Sequence, residues 1–92
     1  IHSFPARLSS DLQSLSLTEK EGPATVGVID PGTYTFSTSS EERMTVLSGT
    51  MNVRLPGGDW KLFVATEGFV VAKGASFDVQ ATADVAYICR YR

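Results

Sequence analysis

The stretch GTYTFSTSSEERMTVLSGTMNVRL, Gly32–Leu55, decides the fold. Apolar and polar residues alternate along most of it, the period expected when successive side chains leave a strand on opposite faces. Three strands follow, Thr33–Thr38, Arg43–Ser48 and Thr50–Leu55, expected as consecutive antiparallel strands. Tyr34, Phe36 and Thr38 share one face of the first. In the third, Met51, Val53 and Leu55 oppose Asn52 and Arg54, which puts Arg54 towards solvent. Gly49 separates the second and third so tightly that a hairpin is expected. Ser37–Glu42 (STSSEE) is a hydroxyl-rich corner entering a very apolar strand, and its plain reading is a solvated turn.

The same punctuation continues on both sides of this stretch. Further strands are expected at Leu12–Leu17, Ala24–Ile29, Trp60–Val64, Phe69–Ala72, Ser76–Gln80 and Asp84–Tyr91, and short strands at close intervals mark all-β sandwiches and barrels. Pro31-Gly32 suits the centre of a type II turn, and Pro56-Gly57-Gly58-Asp59 suits a hairpin loop. Residues 1–11 read as a loose arm and Glu19–Pro23 as a polar loop. No amphipathic helix, internal repeat or linker interrupts the pattern. The expectation is one domain over residues 1–92, an all-β barrel or jelly roll with little or no helix.

Composition narrows the function. The chain has 92 residues, 42% hydrophobic and 10% aromatic, with a net charge of −2. Its eight Lys and Arg are scattered, whereas a nucleic-acid polymer needs a concentrated basic footprint. A small anion such as phosphate needs only one or two cations and some N–H donors. No apolar run approaches the roughly 20 residues of a membrane span, and nothing at the start reads as a secretory leader. Cys89 is the single cysteine, so no intrachain disulfide forms, and a reducing cytoplasm is the expected location. His2 is the only histidine, which removes the base from a Ser-His-Asp or Cys-His arrangement and the ligands from a His-rich metal site.

Gly32–Leu55 resembles the first motif of the cupins, in which a Gly opens a strand, a His-x-His pair and a Glu follow, and a Gly closes six residues later. Gly32, Glu42 and Gly49 hold the Gly, Glu and Gly positions, with the spacing from Gly32 two residues short. Phe36 and Thr38 stand where the two histidines would be. In the second motif, Ala72-Lys73-Gly74-Ala75-Ser76-Phe77 puts Phe77 at the third histidine position. Three of the four usual metal ligands are therefore replaced. A finer resemblance is carried by VGV (Val26–Val28), PGTYTFST (Pro31–Thr38), MTVLSG (Met44–Gly49), the LPG…W hairpin (Leu55–Trp60) and YICRY (Tyr87–Tyr91). Together these resemble the pyrimidine/purine nucleoside phosphorylases, a family of small single-domain cupins, over roughly residues 12–92.

That resemblance implies phosphorolysis of purine and pyrimidine nucleosides, with inorganic phosphate as co-substrate and no metal or other cofactor. It also makes the face of Tyr34, Phe36 and Thr38 the barrel interior. The reaction has an oxocarbenium-like transition state, as glycoside hydrolysis has, and positioned dipoles can serve it without a histidine. Glu42 is the candidate to hold a ribose hydroxyl or favour the cationic sugar; its plain alternative is a surface Glu at a strand start. Arg90 is the candidate for phosphate, since guanidinium forms bidentate charge-assisted pairs; its alternative is a structural ion pair. Phe36 and Phe77 are expected to line the barrel, as core, as a stacking surface for the base, or both. Tyr34, Thr38 and Ser40 complete the expected binding set, although turn-stabilising is the commoner use of such hydroxyls. Arg43 should point away from Glu42, and Cys89 reads as a small core residue. Trp60, Phe63 and Phe69 read as core or dimer packing, and a homodimer is expected. The competing function is a non-catalytic cupin module that binds a small sugar or nucleotide. A metal-dependent cupin enzyme such as a sugar isomerase is disfavoured by the missing histidines.

Overall fold

A computed structural model describes residues 12–19 and 22–91, with side chains from residue 23 onward. The expected arm over residues 1–11, His2 included, lies outside the described residues. Nine strands account for most of the rest: β1 (Leu12–Glu19), β2 (Gly22–Ile29), β3 (Gly32–Ser37), β4 (Glu42–Ser48), β5 (Thr50–Arg54), β6 (Trp60–Val64), β7 (Gly68–Val71), β8 (Ser76–Ala81) and β9 (Val85–Tyr91). All nine correspond to expected strands, and no helix occurs among the described residues. The polar loop expected at Glu19–Pro23 is narrower, because Glu19 ends β1 and Gly22 and Pro23 open β2, with Glu19 paired to Gly22 and Thr18 to Pro23.

The strands form two antiparallel sheets, ordered β1-β2-β9-β4-β7 and β3-β8-β5-β6. Period-two alternation sends one row of each strand into the space between them. Met44 and Val46 of β4, Met51 and Val53 of β5, Phe77 and Val79 of β8, and Val85, Tyr87 and Cys89 of β9 are all buried there. Rings run through this core in sequence: Phe63 to Phe69 at 5.0 Å, Phe69 to Phe77 at 5.8 Å, Phe77 to Phe36 at 5.7 Å and Phe36 to Tyr34 at 5.9 Å. Phe69 comes from one sheet and the other four from the second, so the ladder ties the layers together. Each such pair contributes about 0.5–1.5 kcal/mol beyond the area it buries.

One expectation is corrected here. Ser48-Gly49-Thr50 is not a hairpin: β4 pairs with β9 and β7, and β5 with β6 and β8. The strands β3, β4 and β5 thus follow one another in the chain without pairing with one another. Gly49, at φ 87°, is the corner where the chain passes from one sheet to the other, and a Cβ there would lie 2.7 Å from the Asp84 carbonyl oxygen. Alternation alone cannot separate a tight hairpin from such a corner, because both leave the in-out pattern of the flanking strands intact. Of the three aromatics expected in core or dimer packing, Trp60 is not in the core. It is 39% exposed, with the Arg54 guanidinium 4.9 Å over its ring, whereas Phe63 and Phe69 are buried as expected. The hairpin around Pro56–Asp59 is present, joining β5 to β6.

Candidate active site

Glu42 opens β4 with its side chain on the inner face, in the same row as Met44 and Val46. It is 0% exposed, so the surface alternative fails. Its neighbours across the sheet are Tyr91 of β9 and Val71 of β7. The Cys89 thiol donates to Glu42 Oε1 at 3.3 Å, while Oε2 has no hydrogen-bond partner. Loss of water disfavours the charged carboxylate and outweighs the thiol's opposite effect, raising the Glu42 pKa from the ordinary 4.5 to about 7. Burial also pushes the Cys89 thiol and the Tyr87 and Tyr91 hydroxyls well above their usual ranges. Cys89 is therefore a neutral thiol that holds the acid, and it is the buried core residue its sequence suggested.

The inner row of β9, Tyr87, Cys89 and Tyr91, surrounds the acid with groups that hydrogen-bond without carrying charge. The Tyr91 hydroxyl donates to Thr25 Oγ1 at 2.9 Å, a second buried polar pair inside the same sheet. Among the described residues, the buried polar or charged side chains are Thr25, Thr38 and Glu42, so no Lys or Arg shares the interior with the carboxyl. Sequence reasoning missed Tyr91 and Thr25 as members of this cluster. The signal was available for Tyr91, since YICRY alternates Tyr87, Cys89 and Tyr91 on one face.

The same alternation separates the expected catalytic pair. Arg90 is half-buried on the outer face of β9, cross-strand from Arg43 and from Ala24, while Glu42 faces inward. The structure does not bring Glu42 and Arg90 into one pocket. Arg43 points away from Glu42, as expected, and lines a shallow outer groove of about 220 Å³ with Thr45, Gly68 and Val70.

The expected binding residues fare differently. Phe36 and Phe77 are both 1% exposed and lie directly opposite each other on β3 and β8. Thr38 is buried, but its hydroxyl is committed to the β7–β8 turn: Oγ1 donates to the carbonyls of Ala72 (2.6 Å) and Ala75 (3.3 Å) and accepts from Ala75 N–H (3.0 Å). Backbone bonds from Thr38 N–H to Ala75 O and from Gly74 N–H to Thr38 O complete the clamp. This turn follows Val71, the cross-strand neighbour of Glu42, so it closes the barrel at the acid's end. Ser40 is half-buried in the adjoining β3–β4 connection. Tyr34 belongs to the opposite end, where its hydroxyl donates to the Asp30 carbonyl at 2.8 Å and caps the β2–β3 corner.

Comparison with known proteins settles the family. The family model for pyrimidine/purine nucleoside phosphorylase matches residues 8–91. The chain belongs to that family. A Pseudomonas putida (strain KT2440) protein named pyrimidine/purine nucleoside phosphorylase is 45% identical over 82 residues, 88% of this chain and 87% of the relative. A solved Vibrio parahaemolyticus protein of unknown function is 36% identical, with a TM-score of 0.87 over 99% of this chain and 95% of its own. An RmlC-like cupin from Shewanella frigidimarina is 18% identical, with a TM-score of 0.74 over 88% of this chain and 75% of its own, and shares the fold. The all-β cupin architecture expected from the motifs is thus the one observed. In this nucleoside phosphorylase family member the residues at the cupin metal positions do not fit a metal. Phe36 and Phe77 have no donor atom, the Thr38 hydroxyl is taken by backbone, and no group of three His, Cys, Asp or Glu that could hold an ion occurs among the described residues.

Proposed function

We propose that the protein is a nucleoside phosphorylase, a pentosyltransferase that converts purine and pyrimidine nucleosides and inorganic phosphate into free base and (deoxy)ribose 1-phosphate. The observation that carries this reading is the fully buried Glu42 carboxyl, one oxygen held by Cys89 and the other without a partner, inside a barrel walled by aromatic rings. A water-poor site with one fixed acid suits the breaking of an N-glycosidic bond, where charge develops at the sugar and the departing base. Aromatic walls accept any base, since every base has a π-face, which accounts for broad specificity. Phosphate needs a cation that the described interior lacks, and we assign it to Arg90, one residue from the end of β9 at the barrel rim. The reaction is metal-independent in this reading.

We further place the protein in the cytoplasm as a homodimer. Edge strand β6 exposes Trp60, Leu62 and Val64 in one row, at 39%, 53% and 42%, beside an open backbone edge. Two copies can pair such edges around a twofold axis. Light scattering of the purified protein, and of Leu62→Lys, checks the assembly: a dimer that the variant weakens is expected.

A second reading is a non-catalytic module that holds a small sugar or nucleotide, favoured by the lack of a buried Lys or Arg beside Glu42 among the described residues. Incubation with mixed nucleosides separates the two. Base release that requires phosphate and survives chelator treatment supports the enzyme. Binding without turnover supports the module, and activity lost on chelation and restored by metal overturns metal independence.

A further inference from the structure

The sequence offered Glu42 either as a holder of a ribose hydroxyl or as a negative charge beside a cationic sugar, and the structure gives it a different character. Oε1 of Glu42 accepts the Cys89 thiol proton, so a proton carried by the acid belongs on Oε2, the oxygen with no partner. Every group set against it is neutral: Cys89, Tyr87 and Tyr91 on β9, Val71 on β7, and Thr25 on β2 are all buried and none is a cation. The described residues bury no Lys or Arg that would hold the carboxylate ionised. We propose that Glu42 is the general acid of the reaction, giving its Oε2 proton to the departing base rather than stabilising the sugar as an anion.

The inference rests on the phosphorylase reading and deepens it. As the C1′–N bond breaks, its electron pair goes to the base nitrogen, which takes the proton from Oε2. A phosphate oxygen forms the new bond to C1′, phosphate releases its proton to water as it becomes an ester, and the Glu42 carboxylate takes up a proton from water before the next turnover. Atoms and charge balance, and the acid is regenerated each turn. Cys89 is a positioning residue in this scheme, because its bond to Oε1 leaves Oε2 as the donor. An acid held neutral by an apolar site so that it can donate a proton is an established use of burial. The elevated pKa of Glu42 agrees with the geometry.

The test compares leaving groups. Glu42→Gln keeps shape and hydrogen bonding but carries no transferable acid proton. With an ordinary nucleoside such as uridine, phosphorolysis by the variant should fall by about 10²–10³-fold. With 4-nitrophenyl riboside, whose leaving group departs without protonation, the fall should be below about threefold. Equal losses on both substrates would overturn the proposal. A separate measurement needs neither turnover nor the variant: infrared spectra of the wild-type protein between pH 5 and 9. A buried protonated-carboxyl band that fades with a midpoint near neutrality is expected, and its absence at pH 5–6 overturns the general acid. Wild-type protein that shows the band, yet releases neither uracil nor 4-nitrophenol from the two substrates in the presence of phosphate, defeats the phosphorylase reading instead, and the catalytic proposal with it.

Discussion

The Cys89 thiol and the Glu42 carboxyl meet at 3.3 Å inside the larger sheet, 47 positions apart in the chain and both 0% exposed. The thiol is a weak donor, so it offsets only part of the cost of taking a carboxylate out of water, and the acid binds its proton more tightly folded than unfolded. The sign follows. Between about 4.5 and about 7 the native state holds a proton that the unfolded chain has released, so this group's contribution is fully present below 4.5 and is lost as pH rises towards 7. At about 1.4 kcal/mol per pH unit that gap corresponds to roughly 3 kcal/mol. Urea unfolding at pH 5, 6, 7 and 8 should show wild type losing stability relative to Glu42→Gln by about that amount. Parallel curves for the two proteins would show that the carboxyl is not shielded from water.

Thr38 clamps the turn that closes the same end of the barrel, donating to Ala72 and Ala75 and accepting from Ala75 N–H. Thr38→Val keeps the shape but strands those partners, and a partly buried group left without its bond costs about 1–3 kcal/mol. Thr38→Ser should recover most of that loss. Hydrogen exchange localised to residues 72–75 checks the cause: faster exchange there in the valine variant, with β8 and β9 unchanged, is the expected pattern.

How much of this was legible beforehand depends on the range of the signal. Strand positions are local, and Gly, Pro and period-two alternation marked all nine. The inward course of Glu42 was also readable, because it shares its row with Met44 and Val46, and the outward course of Arg90 was readable from its place between Cys89 and Tyr91. What no local pattern carries is which strands pair. Gly49 as a corner instead of a hairpin, Thr38 bound to a turn more than 30 residues away, and the Glu42–Cys89 bond all depend on long-range pairing. The packing of two expected binding residues was also beyond local pattern: Thr38 holds backbone, and Tyr34 caps the far corner.

The β6–β7 connection offers a paired test of backbone constraints. Thr66 has φ 79°, a region that a β-branched residue occupies only under strain, while its N–H donates to the Val46 carbonyl at 2.8 Å. Thr66→Gly relieves the strain and keeps the bond, and should stabilise the protein by about 0.5–1 kcal/mol after the extra entropy of an unfolded glycine. Two residues on, Gly68 packs against β4 so closely that a Cβ would run into the Met44 carbonyl oxygen. Gly68→Ala should therefore cost more than about 2 kcal/mol, or move β7 off β4. Melting curves of the two variants are expected to shift in opposite directions, and a destabilised Thr66→Gly would show that the threonine side chain contributes more than its conformation costs.

Arg90 is the residue on which the phosphate assignment depends, and its position makes the assignment testable. It lies outside the sheet, cross-strand from Arg43, while Glu42 lies inside. If Arg90 draws phosphate to the rim and Glu42 acts on the base from within, the two variants must fail differently. Arg90→Gln should raise the KM for phosphate about tenfold, the loss of one charge-assisted contact worth about 1.4 kcal/mol, with kcat at saturating phosphate nearly unchanged. Glu42→Gln should instead lower kcat on ordinary nucleosides at every phosphate concentration. Arg43→Gln controls for general loss of positive charge on the outer face and should move the phosphate KM by less than about twofold. Added salt should weaken phosphate use by the wild type more than by Arg90→Gln, since a half-buried guanidinium on the outer face is still screened in part. An unchanged phosphate KM in Arg90→Gln would remove this residue from the reaction and leave its outer-face position to stability alone.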